Sequence, residues 1–146
     1  MYSIYVQTGD RGDAGTDAVV SLVISDHAGA GRGLVIPDLE KWGQMGTGYD
    51  YFERGHLDFF SGQASCLSGP PCWLMLAHDN SGNKPGWYVD YVLVTVKPLA
   101  VNRAADQHLF KVYQWLARDE SPNQLATTRD DCRTDSSILR IPTSTL

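Results

Sequence analysis

No apolar run in this 146-residue sequence approaches the length of a membrane span, and convincing helical periodicity hardly appears. Basic residues are few: 12 Lys and Arg stand against 17 Asp and Glu, a net charge of −5. That balance argues against a broad nucleic-acid footprint and against unaided binding to an anionic membrane. The sequence has no Gly-x-Ser-x-Gly elbow, no Gly-Lys-Ser/Thr after its glycine-rich stretches, and no EF-hand spacing. The motifs of a hydrolase nucleophile, a phosphate-binding loop and a helix-loop-helix calcium site are therefore missing. Repeats, low-complexity tracts and linkers are missing too, which leaves a single domain over residues 1–146. At 42% hydrophobic residues it has ample material for a core. The chain enters a strand pattern directly, so a secretory leader, if one precedes it, lies upstream of Met1.

Cysteine is scarce as well, with only Cys66, Cys72 and Cys132. "SCLSGPPCW" closes a short Pro/Gly-rich loop between Cys66 and Cys72, and this favours a disulfide between them. The spacing matches no zinc pattern, and His78 does not complete one. Cys132 is then left over, as a free thiol or with a partner upstream of Met1. Three reduced cysteines in a cytosolic chain is the alternative.

Strand patterns fill most of what remains. Tyr2, Ile4 and Val6 alternate with Ser3, Tyr5 and Gln7, while "AVVSLVIS" (18–25) and "WYVDYVLVTVKP" (from Trp87) are rich in β-branched residues. "HLDFF" (56–60), "CWLMLAH" (72–78), "HLFKVYQWLA" (108–117) and "SILRI" (137–141) supply further strands. Turn clusters such as "GDRGDAG", "DHAGAGRG" and "DNSGNKPG" separate them. This pattern predicts an all-β sandwich. Residues 39–55 read as a long ordered loop with one helical turn at its start. The polar stretch after Asp119 reads as a wrapping on the outside.

Charge gathers in three strand-connecting segments. "TGDRGDAGTDA" (8–18) carries Asp10, Asp13 and Asp17, "YDYFERG" carries Asp50 and Glu53, and "HDNSG" carries Asp79 and Asn80. Calcium takes six to eight oxygens from carboxylates, amides and backbone carbonyls, and glycines let carbonyls turn inward. Gathered at one end of a sandwich, these turns form a cation cup; separately, each is the ordinary chemistry of a hairpin. Arg11-Gly12-Asp13 spells an adhesion tripeptide that short sequences contain by chance. The histidines (His27, His56, His78, His108) are scattered. An acid–base site using His56, His78, Asp50 or Glu53 would need a pocket that no motif demands. Among the loop aromatics, Trp42 and Tyr49 are candidates for a membrane or ligand contact at the rim, whereas Phe52 and Trp87 read as core.

Four blocks in order, "YSIYVQTGDRGDAGTDAVVSLVI", "MGTGYDYFERGHLDFFSG", "HDNSGNKPGWYVDYVLVTV" and "LFKVYQWLARDESPNQL", resemble the PLAT/LH2 domain of polycystin-1, lipoxygenase and alpha-toxin. The resemblance spans nearly the whole chain and looks closest to plant stand-alone PLAT stress proteins. It implies an antiparallel β-sandwich of two four-stranded sheets. It also implies a non-catalytic module that docks on lipid or a membrane surface, assisted by calcium in the end loops. Carried across, the calcium positions are Gly15, Thr16 and Asp17, then Asp50 and Glu53, then Asp79 with Asn80. Ala18 and Tyr51 stand where some members carry further acids, which implies weaker binding or one site instead of two. The plant members further imply residence in the secretory pathway (endoplasmic reticulum or extracellular space) and an extra cysteine before the first strand to pair with Cys132. They also imply an alternative role, a stress-response module that binds another protein.

Overall fold

Eight strands, most of them built on alternating apolar and polar residues, form in the computed structural model, which describes residues 1–29, 33–100 and 102–132. They are β1 (Tyr2–Thr8), β2 (Val20–Ser25), β3 (Leu34–Ile36), β4 (Leu57–Gly62), β5 (Trp73–His78), β6 (Trp87–Val96), β7 (Asp106–Leu116) and β8 (Ala126–Asp130). Two antiparallel four-stranded sheets form, in the orders β4-β1-β6-β7 and β3-β2-β5-β8. Period-two alternation sends Tyr2, Ile4, Val6, Val92, Val94 and Phe110 inward from the first sheet. Leu22, Ile24, Leu74 and Leu76 meet them from the second, all fully buried. Each such side chain contributes about 1.5–3 kcal/mol by leaving water.

Aromatic residues seal the end of the core beneath the loop that precedes β4. Phe52 stacks on Phe60 at 5.5 Å and meets Trp87 edge-on at 5.1 Å. The buried Trp87 indole N–H donates to Thr8 Oγ1 at 2.9 Å, so neither polar group is left unpaired. Phe52 and Trp87 are thus core residues, as their sequence setting suggests.

The loop over 39–55 is ordered and begins with one 3₁₀ turn, Leu39–Trp42. Two strands escape the sequence pattern. β3 is three residues long, and β8 ("ATTRD") lacks an apolar alternation yet pairs with β5 along its length. The stretch after Asp119 therefore contributes an edge strand, not only a wrapping. The strand expected at 137–141 lies outside the described residues.

β8 also corrects the disulfide. Pairing of Trp73 with Asp130 continues as Asp131 N–H donates to Cys72 O at 2.8 Å, which brings Cys132 opposite Cys72. The bridge is Cys72–Cys132, with Cα atoms 4.8 Å apart; Cys66 is free and exposed. The expected Cys66–Cys72 pair does not form because Cys72 belongs to the β5–β8 ladder, whereas Cys66 sits in the outer loop. There Asp26 tethers the chain by accepting Gly69 N–H at 2.9 Å.

Candidate cation site

Antiparallel connectivity decides where the acidic segments go. β1 runs toward the same end from which β4 and β6 begin and at which β5 and β7 finish. Loops 9–19, 37–56, 79–86 and 117–125 consequently share that end, and all three acidic turns lie on it.

Asp17, Asp50 and Glu53 converge there, each offering a carboxylate oxygen within 4.8 Å of the others. Gly15 makes the approach possible. A Cβ on it would lie 3.0 Å from Phe52 O and 3.2 Å from Arg54 N, so any larger residue would press the two loops apart by a few tenths of an ångström. Thr16 N–H donates to Phe52 O at 3.0 Å and locks the contact. From the 79–86 turn, Gly82 sits in the left-handed region (φ +83°), and a Cβ on it would lie 3.2 Å from Asp17 Cβ.

The charges feel one another. Burial raises the Glu53 carboxyl above its ordinary value, and the charges of Asp50 and Asp17 raise it further. Glu40 is raised in the same way, by burial and then by Asp38, Asp50 and Asp17. Such a group has the hard oxygen donors that a calcium-sized cation takes, and a cation between the three carboxylates would relieve their repulsion.

The remaining candidates take supporting places. Thr16 is buried, and its hydroxyl donates to Pro85 O at 2.7 Å and accepts from Ala18 N–H. Asp79 lies at the same end but turns its Oδ1 to the N–H groups of Val19 and Ser81 and to the Ser81 hydroxyl. It shapes the turn beside Asp17 and is not one of the three converging carboxylates. Asn80, at φ +62°, donates its N–H to His78 Nδ1. Trp42 lies over Gly62 at the far end of β4. Tyr49 is half-buried, and its hydroxyl donates to Asp58 Oδ1 at 2.5 Å. Both rings pack against the core. Ala18 and Tyr51, at the positions where the resemblance implied further acids in some members, are buried.

A cleft of about 230 Å³ between Asp13–Asp17, Glu53–Arg54 and Asn83–Lys84 adjoins the cluster. It shares Asp13 and Lys84 with a second cleft of about 420 Å³, where Lys84, Arg118 and Trp115 lie beside Asp119 and Glu120. Neither basic side chain forms an ion pair among the described residues. Sequence reasoning missed this basic and aromatic trio because loop 79–86, the end of β7 and loop 117–125 meet only in three dimensions. The Arg11-Gly12-Asp13 tripeptide gains no adhesive geometry, since the Arg11 guanidinium lies 3.7 Å over the Tyr88 ring.

The PLAT/LH2 domain profile matches residues 2–129. The chain belongs to the PLAT/LH2 family. It is 45% identical over 133 residues to PLAT domain-containing protein 2 of Arabidopsis thaliana, covering 90% of this chain and 70% of that protein. PLAT domain-containing protein 3 of the same plant is 53% identical over 96 residues, 65% of this chain and 91% of that one. Among solved structures, this PLAT domain superposes on coral 8R-lipoxygenase with a TM-score of 0.62 at 22% identity, over 88% of this chain and 16% of that one. That enzyme is described as calcium-activated via a C2-like domain. A calcium-dependent 11R-lipoxygenase gives a TM-score of 0.59 at 22% identity, covering 89% of this chain and 17% of its own. The PLAT domain thus spans about a sixth of each lipoxygenase. At these identities the likeness is one of fold.

Proposed function

We propose that this PLAT domain is a non-catalytic module that binds a lipid or membrane surface, assisted by calcium held at Asp17, Asp50 and Glu53. The observation that carries the reading is the convergence of three carboxylates from two loops at one end of the sandwich. The calcium-activated and calcium-dependent lipoxygenases that share the fold lend it support. The cation would offset the acidity of the end loops, and Lys84 and Arg118 in the adjoining cleft would meet the phosphates of a lipid headgroup. The Cys72–Cys132 bridge favours an oxidising compartment, in keeping with residence in the secretory pathway. The test is sedimentation with phosphatidylcholine/phosphatidylserine vesicles: the protein pellets with calcium and stays in the supernatant with chelator. Failure to pellet in either condition sinks the reading.

A second reading, a module that binds another protein, draws on the outer face of the first sheet. Phe59, Tyr5, Leu93 and Leu109 stand in register across all four strands there, with Leu57 and Tyr113 exposed nearby. A stoichiometric partner retained in chelator would favour it. The acid–base alternative gains no such support. His78 is buried, with its Nε2 on Leu116 O at 2.6 Å and its Nδ1 taken by Asn80 N–H, while Asp50 lies in the exposed acidic cluster.

A further inference from the structure

Asp58 is a fully buried carboxylate on β4, facing the core side of the sheet. No cation pairs with it among the described residues, and burying a carboxylate is costly unless its oxygens are hydrogen-bonded. Oδ2 accepts Phe52 N–H at 2.7 Å, and Oδ1 accepts the Tyr49 hydroxyl at 2.5 Å. The Tyr49 oxygen in turn lies 3.1 Å from His56 Nδ1. Phe52 is held at φ +63°, a backbone state that a bulky residue adopts only when its surroundings impose it.

The spacing of these partners is informative. Tyr49 immediately precedes Asp50, and Phe52 immediately precedes Glu53. One buried carboxylate therefore grips the chain on both sides of Asp50 and next to Glu53. Without that grip, mutual repulsion would drive Asp50 and Glu53 away from Asp17, because an exposed loop relieves like charges by moving apart. We propose that Asp58, acting through Tyr49 and Phe52, is the positioning residue of the cation site. It presets Asp50 and Glu53 against Asp17 before an ion arrives, so that binding does not have to order the loop. The proposal rests on the calcium reading above, and its test separates the two.

Calorimetric titration with calcium chloride would compare the wild type with Tyr49→Phe, Asp58→Asn and, as a control remote from the site, Arg129→Met. Loss of a group that orients metal ligands weakens metal affinity by about 10- to 100-fold, which is the loss expected for Asp58→Asn. Tyr49→Phe keeps the ring and removes only the hydroxyl, and it should weaken binding in the same direction by a smaller factor. It carries the test alone if Asp58→Asn does not fold. Arg129→Met should lower the melting temperature and leave calcium affinity unchanged. Wild-type affinity in Tyr49→Phe and Asp58→Asn overturns the positioning role while leaving the calcium reading intact. Equal weakening in the Arg129 control also overturns it, since general loosening would then explain the effect. A wild type that binds no calcium overturns both.

Discussion

Glu53 shows how one side chain links charge to stability. Its carboxyl is raised by burial and by the neighbouring Asp50 and Asp17, so the folded state holds its proton more tightly than the unfolded chain. The resulting stabilisation is fully present below the unfolded value and is lost as pH rises through the raised folded value. At neutral pH in chelator, Glu53→Gln should therefore melt higher than the wild type and show a smaller upward shift on adding calcium. Thermal denaturation with and without the ion reads both effects. Asp26 behaves in the opposite sense. Burial pushes it up, but the N–H groups of Ala28, Gly69 and Ser68, with the charge of His27, outweigh burial and hold it below the ordinary value. Its stabilisation is present above the unfolded value and disappears as pH falls through the folded one. Trp87 carries packing and a buried hydrogen bond instead of charge: Trp87→Ala should cost about 3–5 kcal/mol in chemical denaturation, with the Thr8 hydroxyl stranded as well.

At the scale of elements, β8 matters most for its size. It is a polar edge strand, yet Arg129 on it reaches across to the other sheet. Its guanidinium donates to Lys111 O, Val112 O and Gln114 Oε1 on β7, and to Thr127 Oγ1 and Thr128 O on β8. All five guanidinium N–H groups are thereby used, and the open side between β7 and β8 is closed by side-chain hydrogen bonds. The same contacts cover backbone carbonyls of an edge strand, which would otherwise invite pairing with another chain. Arg129→Met should destabilise by about 1–3 kcal/mol, because the carbonyls lose a charged donor and methionine supplies none. Urea unfolding measures that loss.

For the molecule as a whole, the Cys72–Cys132 bridge ties the last described residues to the start of β5 across a sequence separation of 60. Closing a loop of that length in the unfolded chain is worth about 4 kcal/mol on chain-entropy grounds. Cys132→Ser should lower stability by an amount of that order, whereas Cys66→Ser should leave it nearly unchanged. A thiol reagent applied to the native, oxidised protein should modify one cysteine, Cys66, and peptide mapping identifies it. The two ends of the sandwich also divide the labour. One end gathers the acidic loops and the two clefts beside them, while the other holds the disulfide, the Cys66 loop and a further cleft of about 390 Å³.

The all-β architecture was legible in the chain itself, because period-two alternation runs through β1, β2 and β5 and through β6 and β7 on either side of their bulge. The sequence also marked the acidic turns, since Asp17, Asp50 and Glu53 stand in glycine-bearing segments between strands. It did not reveal β8, whose inward positions carry Thr127 and Arg129 instead of apolar side chains. The misreading of the cysteines followed from that, because Cys132 meets Cys72 only through β8 pairing. Which carboxylates meet was likewise a tertiary decision. Sequence treats Asp79 as an equal of Asp17, whereas the fold spends Asp79 on its own turn. It brings Asp50 and Glu53 to Asp17 through the Gly15–Phe52 contact. Local patterning encodes which residues face inward; contacts between loops distant in sequence depend on sheet order and register, which no single segment specifies.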